Sequence, residues 1–349
     1  MNRHKPYIVA VAFVLFFATL FFIYYSQRLP LFSSQKKTSL LAGVQVETIF
    51  AEEKKNALQN QPDHTPVTIL FVGDIMLSRA IGRIMVKKQD WTYPFLLTGD
   101  FLKHADITFG NLEGPISSRG VNIGSIYSFR ADPKTAEGLA YAGFDVMSIA
   151  NNHMWDYGGE AFLDTMSILS SYRIDYVGGG ENYAKAHTPL VRDVRGTKVA
   201  FLAYTNLLPK FLGTVDATPS VAFPDDMDQM ILDIHNAKAI ADVVVVSFHF
   251  GDEYSTKHNA YQKKFAYTAI DSGASVIIGH HPHVVQEVEA YNGGYIAYSL
   301  GNFVFDQNFS ADTGKGLIGK VTLIDKKIVN FETYEVGFNE TYQPAIRKQ

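Results

Sequence analysis

Five uninterrupted apolar runs, each ending in a short polar string, constrain this chain more than anything else in it. Residues 67–72 run into GDIMLSR, 107–110 into NLEGP, 144–149 into ANNHMWDYG, 243–248 into HFGDEY and 274–278 into GHHPH. Val- and Ile-rich stretches without polar alternation read as strands buried on both faces, the pattern of parallel sheets. Helical patterns at residues 135–142, 159–172 and 260–271 alternate with strand-like runs. The expectation is an α/β fold in which helices cover parallel sheets. Toward the C-terminus, residues 295–300, 317–324 and 328–336 follow one another across short turns. They predict a second, more antiparallel sheet, which fits a sandwich.

Open α/β sheets bind ligands outside the carboxyl ends of their strands. These ends offer Asp74, Glu113, Asn152, His153, His249, His281 and His283 to one rim. Each piece also has a plainer reading. GDI suits a strand followed by a turn and a helix N-cap at Ser78, and Asn151 and Asn152 suit turns and caps. Lone histidines such as His64, His104, His187, His235 and His258 are assigned no role. Repetition of one design at five strand ends favours a polar site. Imidazole nitrogen and carboxylate oxygen suit Zn, Mn or Fe, and a chain without cysteine has no thiolate site. Pro282 fixes φ and removes a backbone donor. His281 and His283, two apart on an extended segment, are therefore expected on one side, with His280 facing away. A carboxylate such as Glu113 or Asp74 can bridge two cations, and such a pair can activate water and polarise an ester or amide.

In the order GDIMLSR, NLEGP, ANNHMWDYG, HFGDEY, GHHPHVVQ and YSLGNFVFD, the motifs resemble the bacterial capsule synthesis proteins of the CapA or PgsA type. Those proteins take part in making poly-gamma-glutamate. The resemblance runs from about Thr68 to Asp306. That family looks like a branch of the calcineurin-like metallophosphoesterases. The resemblance implies a four-layer αββα sandwich with a site for two divalent metal ions on its strand-end loops. It implies Asp74, Glu113, Asn152, His249, His281 and His283 as the metal ligands. His153 matches the group that stabilises the transition state or protonates the leaving group. There are departures: Asp74, Ile75 and Met76 stand where those enzymes have Asp-x-His, and a thioether is a poor ligand for a hard cation. Asn111, Leu112 and Glu113 stand where they have an aspartate after a glycine.

Residues 7–25 are apolar and aromatic without a charge. At about 1.5 Å rise per residue they are long enough to cross a hydrocarbon core of about 30 Å. A removable signal peptide is the other reading. Against it, Tyr24, Tyr25 and Arg28 occupy the place where small residues would mark cleavage. Without cysteine there is no lipoprotein anchor. The expected order is a cytoplasmic tail at 1–6, one N-terminal transmembrane helix at 7–25 in the lipid bilayer, a flexible linker at 26–66, the folded domain at 67–337 and a C-terminal tail at 338–349. Arg3 and Lys5 before the span nearly balance Arg28, Lys36 and Lys37 after it. The resemblance accordingly decides the orientation, with the main domain outside the cytoplasm.

Composition of 47% hydrophobic, 13% aromatic and 19% charged residues is that of a globular protein. A formal net charge of -4 gives no reason to expect nucleic acid, which favours a basic surface. The triple glycine at 178–180 lacks a phosphate-loop context and reads as a turn. Ser299 in YSLGN lacks the G-x-S-x-G elbow of a serine hydrolase. Asn302 and Asp306 are expected to support the histidines from behind. Arg79, close behind the first motif, reads either as a surface residue at a helix start or as a two-point grip on a substrate carboxylate. Arg130 is a second cationic candidate. Two functional classes follow. One is a membrane-anchored metal-dependent hydrolase or transferase acting on an amide or ester bond of an acidic envelope polymer, with His153 as acid and Arg79 orienting the substrate. The other is a non-catalytic accessory subunit that binds or exports the polymer beside other membrane subunits of a synthetase.

Overall fold

A computed structural model describes residues 64–124, 126–208 and 218–347, which belong to one compact unit, Asp63–Gln349. The expected anchor at residues 7–25 and most of the linker lie outside the described residues. Among those that are described, no helix is long and apolar enough to cross a membrane.

Four parallel strands, β1 (Val67–Ile75), β2 (Ile107–Leu112), β3 (Val146–Ser148) and β4 (Asp175–Val177), start the first sheet. The short strand β13 (Asn302–Val304) pairs in parallel with the end of β1. The chain then returns antiparallel to β1 as β14 (Lys315–Ile324), followed by β15 (Lys327–Phe338) and β16 (Pro344–Ile346). This corrects the expected C-terminal sheet: β14 and β15 extend the sheet begun by β1, and pairing of β16 carries that sheet beyond residue 337. The second sheet comes from the middle of the chain, in the order β11 (Val288–Tyr291), β12 (Gly294–Ala297), β10 (Val276–His280), β9 (Val243–His249), β7 (Thr197–Thr205) and β6 (Leu190–Val194). Its four inner strands are parallel, and its two edges are antiparallel. The short strands β5 (Gly179–Gly180) and β8 (Ser220–Val221) pair separately, so the triple glycine ends in a two-residue strand after a turn at Gly178.

Side-chain alternation explains why the apolar runs are continuous. On β1, Leu70 and Val72 enter a core shared with the helices α1 (Arg79–Lys88), α2 (Gly99–Leu102), α3 (Thr135–Ala142) and α4 (Gly158–Ser171). Ile69 and Phe71 point the other way, into a core shared with Phe201, Val245 and Ile278 of the second sheet. The Phe109 and Phe201 rings stack there, 5.6 Å apart. The outer face of the second sheet packs Val244, Val246 and Ile277 against helices α6 (Met227–Ile240) and α7 (Ala260–Asp271), which follow the one-turn α5 (Tyr183–Ala186). The inner strands are thus buried on both faces, and helices lie outside two sheets that face each other. Local chemistry sets the helix ends: Asn259 and Gln262 form a reciprocal capping box at the start of α7. Gly143 ends α3 in the left-handed conformation that glycine adopts freely.

Candidate metal centre

The alternation that builds the inter-sheet core also delivers the polar residues at its end. On β2, Ile107 and Phe109 face that core, so Asn111 and Glu113 continue onto the same face. Val243 and Val245 lead in the same way to His249, and Val276 and Ile278 lead to His280. Strand β1 is different. Asp74 is out of step with Ile69 and Phe71, but the pairing with β2 shifts register between Phe71 and Asp74. An irregularity of this kind re-aims a side chain, and Asp74 joins the cluster. Gly73 permits it, because a Cβ there would lie 1.9 Å from the Gly301 carbonyl oxygen.

Asp74 is fully buried and central. Its Oδ1 accepts from Asn111 Nδ2 at 2.8 Å, and its Oδ2 accepts from the His281 backbone N–H at 3.2 Å. His280 Nδ1 lies 3.2 Å from Oδ1, and His283 Nδ1 lies 3.4 Å from Oδ2. Glu113, also buried, has Oε1 at 3.6 Å from His283 Nε2 and 3.9 Å from His153 Nε2. Across the cleft, His249 Nε2 pairs with Asn152 Oδ1 at 2.8 Å, and its Nδ1 lies 3.3 Å from Asn111 Nδ2. Asn151 is a buried strut: its Nδ2 donates to Asn111 Oδ1 and to the Leu112 carbonyl, while its Oδ1 accepts from the His153 backbone N–H. All six candidate ligands, with His153, therefore meet at one end of the inter-sheet cleft.

His281 and His283 converge, but not by strand alternation. Both have positive φ, 97° and 57°, and so does Arg79 at 51°. Such backbone costs about 1–3 kcal/mol per non-glycine residue and persists where the surroundings impose it, often at functional sites. His280, expected to face away, is instead fully buried against Asp74, because it shares the parity of Ile278.

Several buried atoms here have no hydrogen-bond partner: Glu113 Oε1, His281 Nδ1 and both ring nitrogens of His280. The His280 contact with Asp74 is close but lacks hydrogen-bond alignment. An unpaired buried polar atom costs about 1–3 kcal/mol, so such a cluster at one point suits a ligand. Donor atoms of Asp74, Glu113 and His249 lie within 4.8 Å of one another, as do those of Glu253, His281 and His283. A buried set of imidazole nitrogens and carboxylate oxygens fits a divalent transition metal. Burial pushes His249 well below the ordinary imidazole range, and burial with the nearby His283 takes His281 down to about 3. Both are thus neutral and able to donate a lone pair. Burial would raise Asp74, but the contacts and charge of His280 and His283 hold it well below the usual carboxylate range. Burial sets Glu113 well above that range. His283 would be depressed by burial, yet Glu113 and Asp74 lift it to about 9.

His153 is oriented by a residue the sequence reading missed. Its Nδ1 pairs with Asp156 Oδ2 at 2.8 Å, that oxygen also accepts from the Phe129 N–H, and the Phe129 ring stacks on the imidazole at 3.9 Å. The guanidinium of Arg79 lies 5.4 Å from the centre of the same Phe129 ring and 3.2 Å from Asp306 Oδ1. Asp306 therefore holds Arg79 and caps α1 through the Ala80 N–H, and only Asn302 of the two expected supports reaches a histidine, His283 Nδ1, at 3.0 Å. Ser78 donates to the Met76 thioether and leaves capping to Asp306. Arg130 is turned away, bonded to the carbonyls of Arg119 and Gly120. Asn111, Asp156, Glu253 and His280 were not picked out. Period-two parity marks Asn111 and His280, while the other two needed the tertiary fold.

A family model, the bacterial capsule synthesis protein PGA_cap, matches residues 68–307. The capsule biosynthesis protein CapA of Bacillus anthracis is 34% identical over 265 residues, which cover 73% of this chain and 64% of that protein, less than two thirds of its length. The PGA biosynthesis protein CapA of Bacillus subtilis (strain 168) is 32% identical over 281 residues, covering 80% of this chain and 73% of that one. Among solved structures, a hypothetical protein from Thermus thermophilus is similar with a TM-score of 0.46 and 18% identity, covering 77% of this chain and 98% of its own. The matched span contains every strand end that builds the cluster, and this chain belongs to the bacterial capsule synthesis protein family.

Proposed function

We propose that the protein is a membrane-anchored, extracytoplasmic, metal-dependent hydrolase or transferase of capsule or poly-gamma-glutamate biosynthesis, acting on an amide or ester bond of an acidic envelope polymer. One observation carries the reading: Asp74, Glu113, Asn152, His249, His281 and His283 meet at one end of a cleft where buried donor atoms lack partners. The polymer is taken from a relative named for PGA biosynthesis. Two facing sheets with helices outside suit a metallophosphoesterase-type sandwich, and residues 7–25 serve as its anchor in the bilayer.

Bound divalent cations, two of Mn, Zn or Fe, would polarise the scissile carbonyl and activate water. Asp74, Glu113, Asn152 and the three imidazoles would hold them. His153, steered by Asp156, protonates the leaving amine or alcohol. Arg79, fixed by Asp306 above the ring that stacks on His153, grips a carboxylate of the polymer. The second reading, an accessory subunit that binds or exports polymer beside other synthetase subunits, is favoured by Met76. Its sulfur accepts from Ser78 within the helix-side core and offers nothing to a cation.

Elemental analysis of the purified full-length chain tests the centre: Mn, Zn or Fe is expected to copurify, and His281→Ala to remove most of it. Incubation with gamma-glutamyl polymer and added Mn tests the reaction, with chain shortening or transfer expected and loss of either on His153→Ala. A folded protein that binds metal yet leaves the polymer intact under every metal would leave the accessory reading.

A further inference from the structure

Resting on the metal centre proposed above, we infer that Glu253 is a further metal ligand, acting with His281 and His283 from the loop after β9. A backbone latch positions it. The Phe250 N–H donates to the His280 carbonyl at 3.2 Å, and the Tyr254 N–H donates to the Pro282 carbonyl at 2.8 Å. The loop is thereby pinned on both sides of Glu253 to the segment that carries the two histidines. Positive φ at Gly251 (99°) and Tyr254 (63°) turns it back on itself.

The result is a set of donor atoms from Glu253, His281 and His283 within 4.8 Å of one another, separate in membership from the set of Asp74, Glu113 and His249. His281 supplies an independent sign of a ligand: it is 7% exposed and its Nδ1 has no hydrogen-bond partner. Charge points the same way. Asp74 and Glu113 leave half the charge of two divalent cations uncompensated, and a third carboxylate takes up half of the remainder. Glu253 is exposed where those two are buried, so it closes the centre on its solvent side. It also contributes the hard oxygen donor that the Met76 sulfur does not provide.

Calorimetric titration of the metal-stripped full-length chain with MnCl2 tests this, using wild type, Glu253→Ala, Glu253→Asp and Asp74→Asn. Glu253→Ala is expected to lose one equivalent of Mn or to bind it more weakly by at least the about 10–100-fold that loss of an outer-shell partner costs, with Glu253→Asp intermediate. Because Glu253 is exposed, the metal-free melting temperature of Glu253→Ala is expected to match wild type, which separates lost ligation from lost folding. An isotherm of Glu253→Ala that superimposes on wild type, while Asp74→Asn still loses metal, overturns the assignment and leaves the centre standing. No uptake of Mn by wild type, repeated with Zn and Fe, removes the centre and the role of Glu253 together.

Discussion

His283 shows how single residues set the behaviour of the cluster. Burial opposes its charge, but Glu113 and Asp74 raise its pKa from the ordinary 6.5 to about 9. A folded-state pKa above the unfolded value stabilises the metal-free protein fully below about pH 6.5, and that contribution is lost as pH rises through about 9. A cation would take the place of the proton. Thermal melts of metal-stripped protein should therefore weaken between these pH values, and saturating Mn should flatten the trend; a melting temperature independent of pH without metal would contradict this. Asp156 gives a second residue-level prediction. Replacing it by alanine leaves the Phe129 N–H without its partner and frees the His153 ring, for an expected loss of about 1–3 kcal/mol in denaturant titration. The positions of the six candidate ligands were legible because polar groups at the ends of apolar runs are conspicuous. Asp156 was not, since an aspartate three residues after a histidine has many ordinary uses.

At the scale of elements, strand alternation fills two cores at once. Phe109 is fully buried between the sheets and packs against both Phe71 and Phe201. Phe109→Ala is expected to cost about 3–5 kcal/mol, read as a lower urea midpoint with little change in slope. Asn259→Ala, which breaks the capping box of α7, should cost about 1 kcal/mol by the same measurement. Two helices, Thr135–Ala142 and Ala260–Asp271, have the bounds expected from their helical patterns. The irregularity in β1 that turns Asp74 toward the cleft was hidden, because it depends on how β1 pairs with β2 rather than on its own residues. Strand membership was hidden for the same reason: β14 and β15 look alike whether they join one sheet or another.

For the whole molecule, the proposed anchor predicts that the full-length chain fractionates with membranes, resists high salt and is released only by detergent. A chain lacking residues 1–25 should appear in the soluble fraction, and external protease should reach the folded domain in intact spheroplasts. Full protection of that domain would reverse the proposed orientation. By itself the sequence determined the family, the α/β character and the set of polar strand ends, because burial periodicity and motif order are written along the chain. The tertiary structure alone decided that the C-terminal strands return to the first sheet, that Asp74 turns into the cleft and that Glu253 comes beside His281 and His283. The physical reason is that these outcomes rest on hydrogen bonds between segments far apart in sequence, such as Tyr254 N–H to the Pro282 carbonyl and Asp74 N–H to the Gly301 carbonyl, which no local pattern encodes.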